Sequence, residues 1–383
     1  MSDDTGVLAS SPGTASARAA SREGAPRDPV DWATAKRVAR LVAGRDHFAS
    51  SYLGASLARD FAAVTSEAED LVADFTGLRA PGRAHAAVLD RGGWVDANVS
   101  SMRTMLAPLT ERLGERLAMS PIAPVGRRIA GVEVGSLLGY LSQRVLGQYD
   151  LLVPDSDGSD ADADAVYYLG ANILGLEKRF AFRPLDFRRW IAIHEVTHRA
   201  QFTGVPWMKD YFLSLVEGSM SIVDPDPAVL LRAIGRVADA LRAGKNPLDE
   251  GGLVALFASP EQQEILGRVQ ALMSLLEGHG NYVMNELGNR HVQGAERMAR
   301  VLHARRQQKG IGGQMQKLLG IEMKMRQYEV GERFVRGVER IAGIAALDAA
   351  WRDPESLPTV AELDDPSAWL TRVAATSRGA VAG

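Results

Sequence analysis

Along most of the chain after Val30, apolar residues return every three or four positions, the spacing that gathers them on one face of an α-helix. The stretches VDWATAKRVARLVAG (30–44), VDANVSSMRTMLAPLTERLGERL (95–117) and AERMARVLHARRQQ (295–308) show it most plainly. Further helices are predicted over 206–223, 226–244 and 260–288, and around 310–327 and 331–351. Two segments read as strands: QYDLLVP (148–154) and AVYYLGANIL (165–174), the second rich in β-branched and aromatic residues. Between them DSDGSDADADA (155–165) reads as a solvated acidic turn, because its glycine is misplaced for a calcium loop. The fold class is mainly α with a small β-sheet. No repeat of fixed period appears, which argues against a solenoid.

The ends of the chain break this pattern. Residues 1–29, rich in Ser, Ala, Gly and Pro, read as a disordered tail, and 379–383 as a disordered end. Residues 30–378 then form a single helical domain. Its last part, DPESLPTVAELDDPSAWLTRV (353–373), is punctuated by prolines yet keeps Leu, Val and Trp, so it should dock on the body. Gly131, Gly135 and Gly139 fall on one helical stripe, which lets another backbone approach closely.

One helix, over 186–203, carries chemistry. Pro184 and Asp186, the latter as cap, suit its start, and Gly204 with Pro206 its stop. Ile191, Ile193, Val196, Ala200 and Phe202 are apolar on nearly every side, so the helix is mostly buried. Within it lies HEVTH (194–198). Buried histidines and a buried glutamate are costly without partners. One partner is a metal ion. His194 and His198, one turn apart, can present imidazoles to a common point. Glu195, rotated about 100° around the helix, flanks that point and can take a proton from a water that the metal acidifies to a pKa of about 7. This His-Glu-x-x-His arrangement is the zinc metalloprotease motif. Without a metal, the same residues would be two buried histidines bonded to carbonyls, with Glu195 paired to Arg199.

A third ligand must come from elsewhere, and two glutamates compete. Glu217 follows His198 by 217 − 198 = 19 residues, a spacing found in many zinc peptidases. Glu277 follows by 277 − 198 = 79, on an apolar helix between Gly278 and Gly280, which weaken a helix unless something must come close. An active-site helix would be that something. His279 points about 200° away from Glu277 around the helix, so the two do not serve one ion.

Composition narrows the chemistry. The absence of cysteine removes disulfides, thiolate zinc sites and cysteine nucleophiles, leaving His, Asp and Glu to hold any transition metal. A net charge of −3 gives no electrostatic case for nucleic acid or an anionic membrane. No stretch has the apolar run of a signal peptide or a membrane span, so a cytoplasmic location is expected.

VLGQYDLL (145–152), FRRWIAIHEVTHRAQFTGVPWMKDY (187–211), MSLLEGHGNYVMNELG (273–288) and KMRQYEVGERFV (324–335) together resemble the zincin-like metallopeptidases widespread in actinobacteria, often labelled as associated with deazaflavin cofactor biosynthesis. The resemblance runs from about Val30 to the C-terminal SAWLTRV. It implies a helical zincin fold with a small sheet and zinc-dependent hydrolysis of a peptide or protein substrate. One Zn2+ ion would be held by His194, His198 and Glu277, with Glu195 as base. It favours Glu277 over Glu217. Tyr328 and Tyr282 become candidates to stabilise the oxyanion, His279 a residue that lines the pocket, and the strand 165–174 a partner for extended substrate. Where the family commonly has Asp four residues past the glutamate, this chain has Asn281, which removes a charge behind the metal. That departure supports an alternative: a catalytically inactive metal-binding or regulatory protein on the same fold.

Overall fold

The computed structural model describes residues 28–44, 46, 53–111, 123–151, 164–220, 260–307 and 321–381, with the side chains of 220, 306–307, 321–328 and 377–381 excepted. The predicted helix 226–244, most of the acidic turn 155–165, and most of 310–327 and the N-terminal tail lie outside the described residues. In chain order the helices are α1 (Trp32–Ala43), α2 (Leu53–Thr76), α3 (Arg91–Met105), α4 (Ala123–Ser142), α5 (Gly170–Phe180), α6 (Pro184–Gly204), α7 (Met208–Met220), α8 (Pro260–His291), α9 (Ala295–Gln307), α10 (Ile321–Ala342), α11 (Val360–Asp364) and α12 (Pro366–Val381). Strands β1 (His85–Leu89), β2 (Gly147–Tyr149) and β3 (Ala165–Leu169) form one sheet in the order β1-β3-β2, with β1 parallel and β2 antiparallel to β3. The protein is mainly α with a small sheet, as expected.

The strands are shorter than the sequence pattern suggests. The segment 165–174 is a strand only to Leu169; Gly170 opens α5, and the rest of the apolar run is helical. β3 is the middle strand, so both its edges are paired and the expected substrate partner at 165–174 is corrected: β3 has no edge to offer. The chain also helps itself to a strand, HAAVL, that an alternating pattern did not mark.

Two apolar cores meet at the sheet. The larger gathers α2, α6, α8, α10 and the C-terminal elements around Phe61, Tyr168, Phe187, Ile193, Leu275 and Phe334. The smaller joins α1, α3 and α4 through Trp32, Trp94, Val99, Leu138 and Leu169. Here the glycine stripe does its predicted work. A Cβ on Gly131 would stand 2.6 Å from the Asp31 carbonyl oxygen, one on Gly139 2.6 Å from that of Ala39, and one on Gly135 would strike that of Ala35. Only a side chain of hydrogen lets α1 lie this close.

The C-terminal segment docks as expected. Trp369 is fully buried, its Nε1 donating to Ser356 O at 2.9 Å, and Arg372 reaches Glu362 at 2.7 Å. Helix α12 runs to Val381, past the 379 boundary where a disordered end was expected.

Candidate metal centre

Helix α6 begins at Pro184, two residues earlier than its expected cap. Proline's fixed φ suits the first helical position, so Arg183 becomes the N-cap and makes no side-chain cap bond. Asp186 is therefore corrected from cap to a first-turn acid, where the helix dipole favours it; it pairs with Arg183 at 3.2 Å. The helix is buried along most of its length, from Phe187 to Gln201. Arg188 fixes one side by donating to both Glu177 oxygens at 2.8 and 2.9 Å. Arg199, 1% exposed, fixes another: it donates to Glu69 at 2.6 Å and to Asp164 and the Pro81 carbonyl at 2.7 Å. Its guanidinium is thus committed to α2 and the start of β3.

The remaining face points His194 and His198 at α8. Their Nε2 atoms are 3.2 Å apart, with the rings nearly perpendicular. Glu277 Oε2 lies 3.7 Å from His194 Nε2 and 3.5 Å from His198 Nε2. Among the described residues, these three side chains form a group able to hold a metal ion. Zinc bonds of 2.0–2.2 Å at tetrahedral angles put ligand atoms about 3.3–3.6 Å apart. The observed spacings bracket that range, so the donor set fits a zinc-sized ion. Each of the three side chains is about one-seventh exposed, at 14–15%, which leaves a path to solvent.

Glycine makes both approaches to the site possible. A Cβ on Gly280 would sit 3.2 Å from Cε1 of each histidine, so α8 presses its backbone against the imidazole pair. Gly278 was expected to face the same helix; instead its missing Cβ admits the Gly331 backbone of α10. On the other side of α6, a Cβ on Gly147 would lie 2.6 Å from Glu195 Cγ and 2.8 Å from Oε1. Glu195, 8% exposed, therefore leaves α6 toward β2 while the imidazoles leave it toward α8.

The surrounding polar groups set the electrostatics. Burial works against a charged His198, but the hydrogen bond and charge of Glu277, the charge of Glu195 and the bond to Gln201 outweigh it and push its pKa up to about 9. A site that retains a proton so firmly is one that favours positive charge. His279 goes the other way: burial, then the neighbouring His198, lowers it to about 3, so it is neutral. Its Nδ1 accepts from Gln201 Nε2 at 2.9 Å, and its ring lies 5.2 Å from that of Trp351. His279 is 4% exposed, packed behind the group rather than lining an open pocket, which corrects the expectation for it.

The other expected residues separate. Glu217 is an exposed residue of α7 outside the three-residue group. Tyr282 donates to Glu339 Oε1 at 2.6 Å and lies beneath Arg336, so its hydroxyl is committed to α10 and not to the site. Tyr328 belongs to the first turns of α10, where side chains lie outside the described residues. Asn281 is buried one turn past Glu277. Gln201 and Gly147 are contributions that sequence reasoning passed over. Gln201 was accessible in principle, since three residues past His198 is the same helical face; nothing local marks Gly147.

Helices carrying a His-His-Glu group beside a small sheet define a zincin-like architecture. The chain belongs to the zincin-like metallopeptidase family, whose sequence profile matches residues 30–370. A solved structure from Chloroflexus aurantiacus, described as a candidate hydrolase with a novel fold, is similar at 30% identity and a TM-score of 0.64, covering 90% of this chain and 98% of that one. No protein of curated function matches. Membership implies a metal, typically zinc. Among the described residues no helix is long and apolar enough to cross a membrane.

Proposed function

We propose that this protein is a zinc-dependent hydrolase of peptide bonds, with one Zn2+ held by His194, His198 and Glu277 and with Glu195 as general base. The carrying observation is the donor spacing of 3.2, 3.5 and 3.7 Å among three side chains drawn from two helices. When bound, zinc supplies Lewis acidity, which acidifies water and polarises a carbonyl. Glu195 then takes the proton of the attacking water as the C–O bond forms, and returns it to the amine nitrogen as the C–N bond breaks. Packing against Gly147 holds that carboxylate in one place. The oxyanion role stays with Tyr328 on the strength of the family resemblance.

Strand β2 is the edge best suited to an extended substrate. Leu146 O and Asp150 N both bond to β3, and an antiparallel ladder alternates, so the peptide groups of Gly147 and Tyr149 face away from β3. Gly147, at the start of that edge, packs against Glu195. A peptide adding there as a strand would have its backbone read by main-chain hydrogen bonds.

The test is metal analysis of the purified protein with a peptide library. We expect one zinc per chain, cleavage by the unaltered protein, and full zinc with a roughly 10²–10⁴-fold slower rate in Glu195→Gln. Cleavage at an unchanged rate in that variant removes Glu195 from the reaction. Asn281 favours a second reading, a metal-binding regulatory protein; zinc bound at full occupancy with no cleavage of any peptide would select it.

A further inference from the structure

We infer that Gln201 is a positioning residue: anchored by Leu276 and His279, it fixes which ring nitrogen of His198 faces the metal position. The inference rests on the metal-centre reading above. Hydrogen-bond polarity assigns the amide and imidazole states here. Leu276 O can only accept, and it lies 3.0 Å from one end of the Gln201 carboxamide. That end is therefore the NH2 group. Its second hydrogen goes to His279 Nδ1 at 2.9 Å, which must accept. The amide oxygen is then at the other end, 2.9 Å from His198 Nδ1. A carbonyl oxygen cannot donate, so Nδ1 carries the hydrogen. Nε2 is left to face His194 and Glu277, the nitrogen a metal would take.

No link in this chain is free to reverse. Turning the amide over would set its oxygen against Leu276 O, and because Gln201 is fully buried that mismatch would cost its full desolvation penalty. The anchors flank Glu277 on the same turn of α8. One turn thus supplies the third donor atom and also orients a ligand that belongs to α6. Partners behind metal-bound histidines commonly carry a 10–100-fold share of metal affinity.

The experiment uses the full chain, stripped of metal and titrated with zinc against a chromophoric chelator. Gln201→Met keeps length and removes both polar ends; we expect zinc affinity about 10–100-fold weaker. In parallel, zinc-loaded unaltered protein with ¹⁵N-labelled histidine should show a slowly exchanging hydrogen bonded directly to His198 Nδ1. That measurement stands whether or not the variant folds. A zinc-loaded protein with no hydrogen on Nδ1, or a folded Met variant with undiminished zinc affinity, overturns the inference and leaves the metal centre standing. An unaltered protein that takes up no zinc overturns both.

Discussion

Two glycines separate the two halves of the proposed chemistry, and each can be filled without replacing a polar side chain. Gly280 keeps a Cβ off His194 and His198; Gly147 keeps one off Glu195. Alanine at 280 would need the imidazoles to give by a few tenths of an ångström, yet His198 is tethered through Gln201. Inside a helix, alanine is otherwise better than glycine by about 0.5–1 kcal/mol. Gly280→Ala should therefore melt no lower than the original when metal-free, yet bind zinc more weakly. Gly147→Ala places an atom 2.6 Å from Glu195 Cγ and should displace the base, leaving zinc affinity intact while cleavage slows. Chelator titration and peptide turnover measured on both variants check the pair. If the two shift together, the assignment of ligands to one side of α6 and base to the other fails.

At the scale of elements, the seam between α1 and α4 depends on absent side chains. A Cβ on Gly135 would strike the Ala35 carbonyl and lie 2.9 Å from Val38 Cβ, so Gly135→Ala forces the helices apart. Overpacking of this kind typically costs about 1–3 kcal/mol. The damage belongs to the smaller core of Trp32, Trp94 and Leu138, and the metal centre belongs to the larger one. Thermal melting should show a lower midpoint at unchanged zinc affinity; a coupled loss of zinc binding would mean the two cores act as one. The sequence made this seam legible because a glycine every fourth residue has few other uses. Helices such as α8 were equally visible, since a periodic apolar stripe survives any tertiary context. Short elements were not. HAAVL has too few bulky residues to reveal a strand, and in AVYYLGANIL the apolar run continues unbroken from strand into helix. Asp186 misled because a good capping residue stood two places inside a proline that had already started the helix. Of the candidate site, the His-Glu-x-x-His pattern spoke for itself, whereas Gln201 depends on a partner turn 75 residues distant, which no local pattern encodes.

For the molecule as a whole, the group ties two long helices that apolar packing and the Gln201 hydrogen bonds also join. His194 and His198 come from α6 and Glu277 from α8, so an ion held by all three binds only the folded chain. Any such ligand stabilises by mass action, about 2.7 kcal/mol at a hundredfold excess over its dissociation constant. Chelation should therefore lower the melting midpoint, and equimolar zinc should restore it. The identity of the third ligand follows from the same scan. Glu277→Ala should abolish the zinc-dependent shift, because the donor facing both Nε2 atoms is gone. Glu217→Ala, on the exposed side of α7, should keep that shift in full. The reverse result would place the third bond on α7 and require the histidines to turn away from Gly280. A Cβ-free backbone pressed against two ring carbons would then have no partner to accommodate, and the close crossing of α6 and α8 would lose its physical reason.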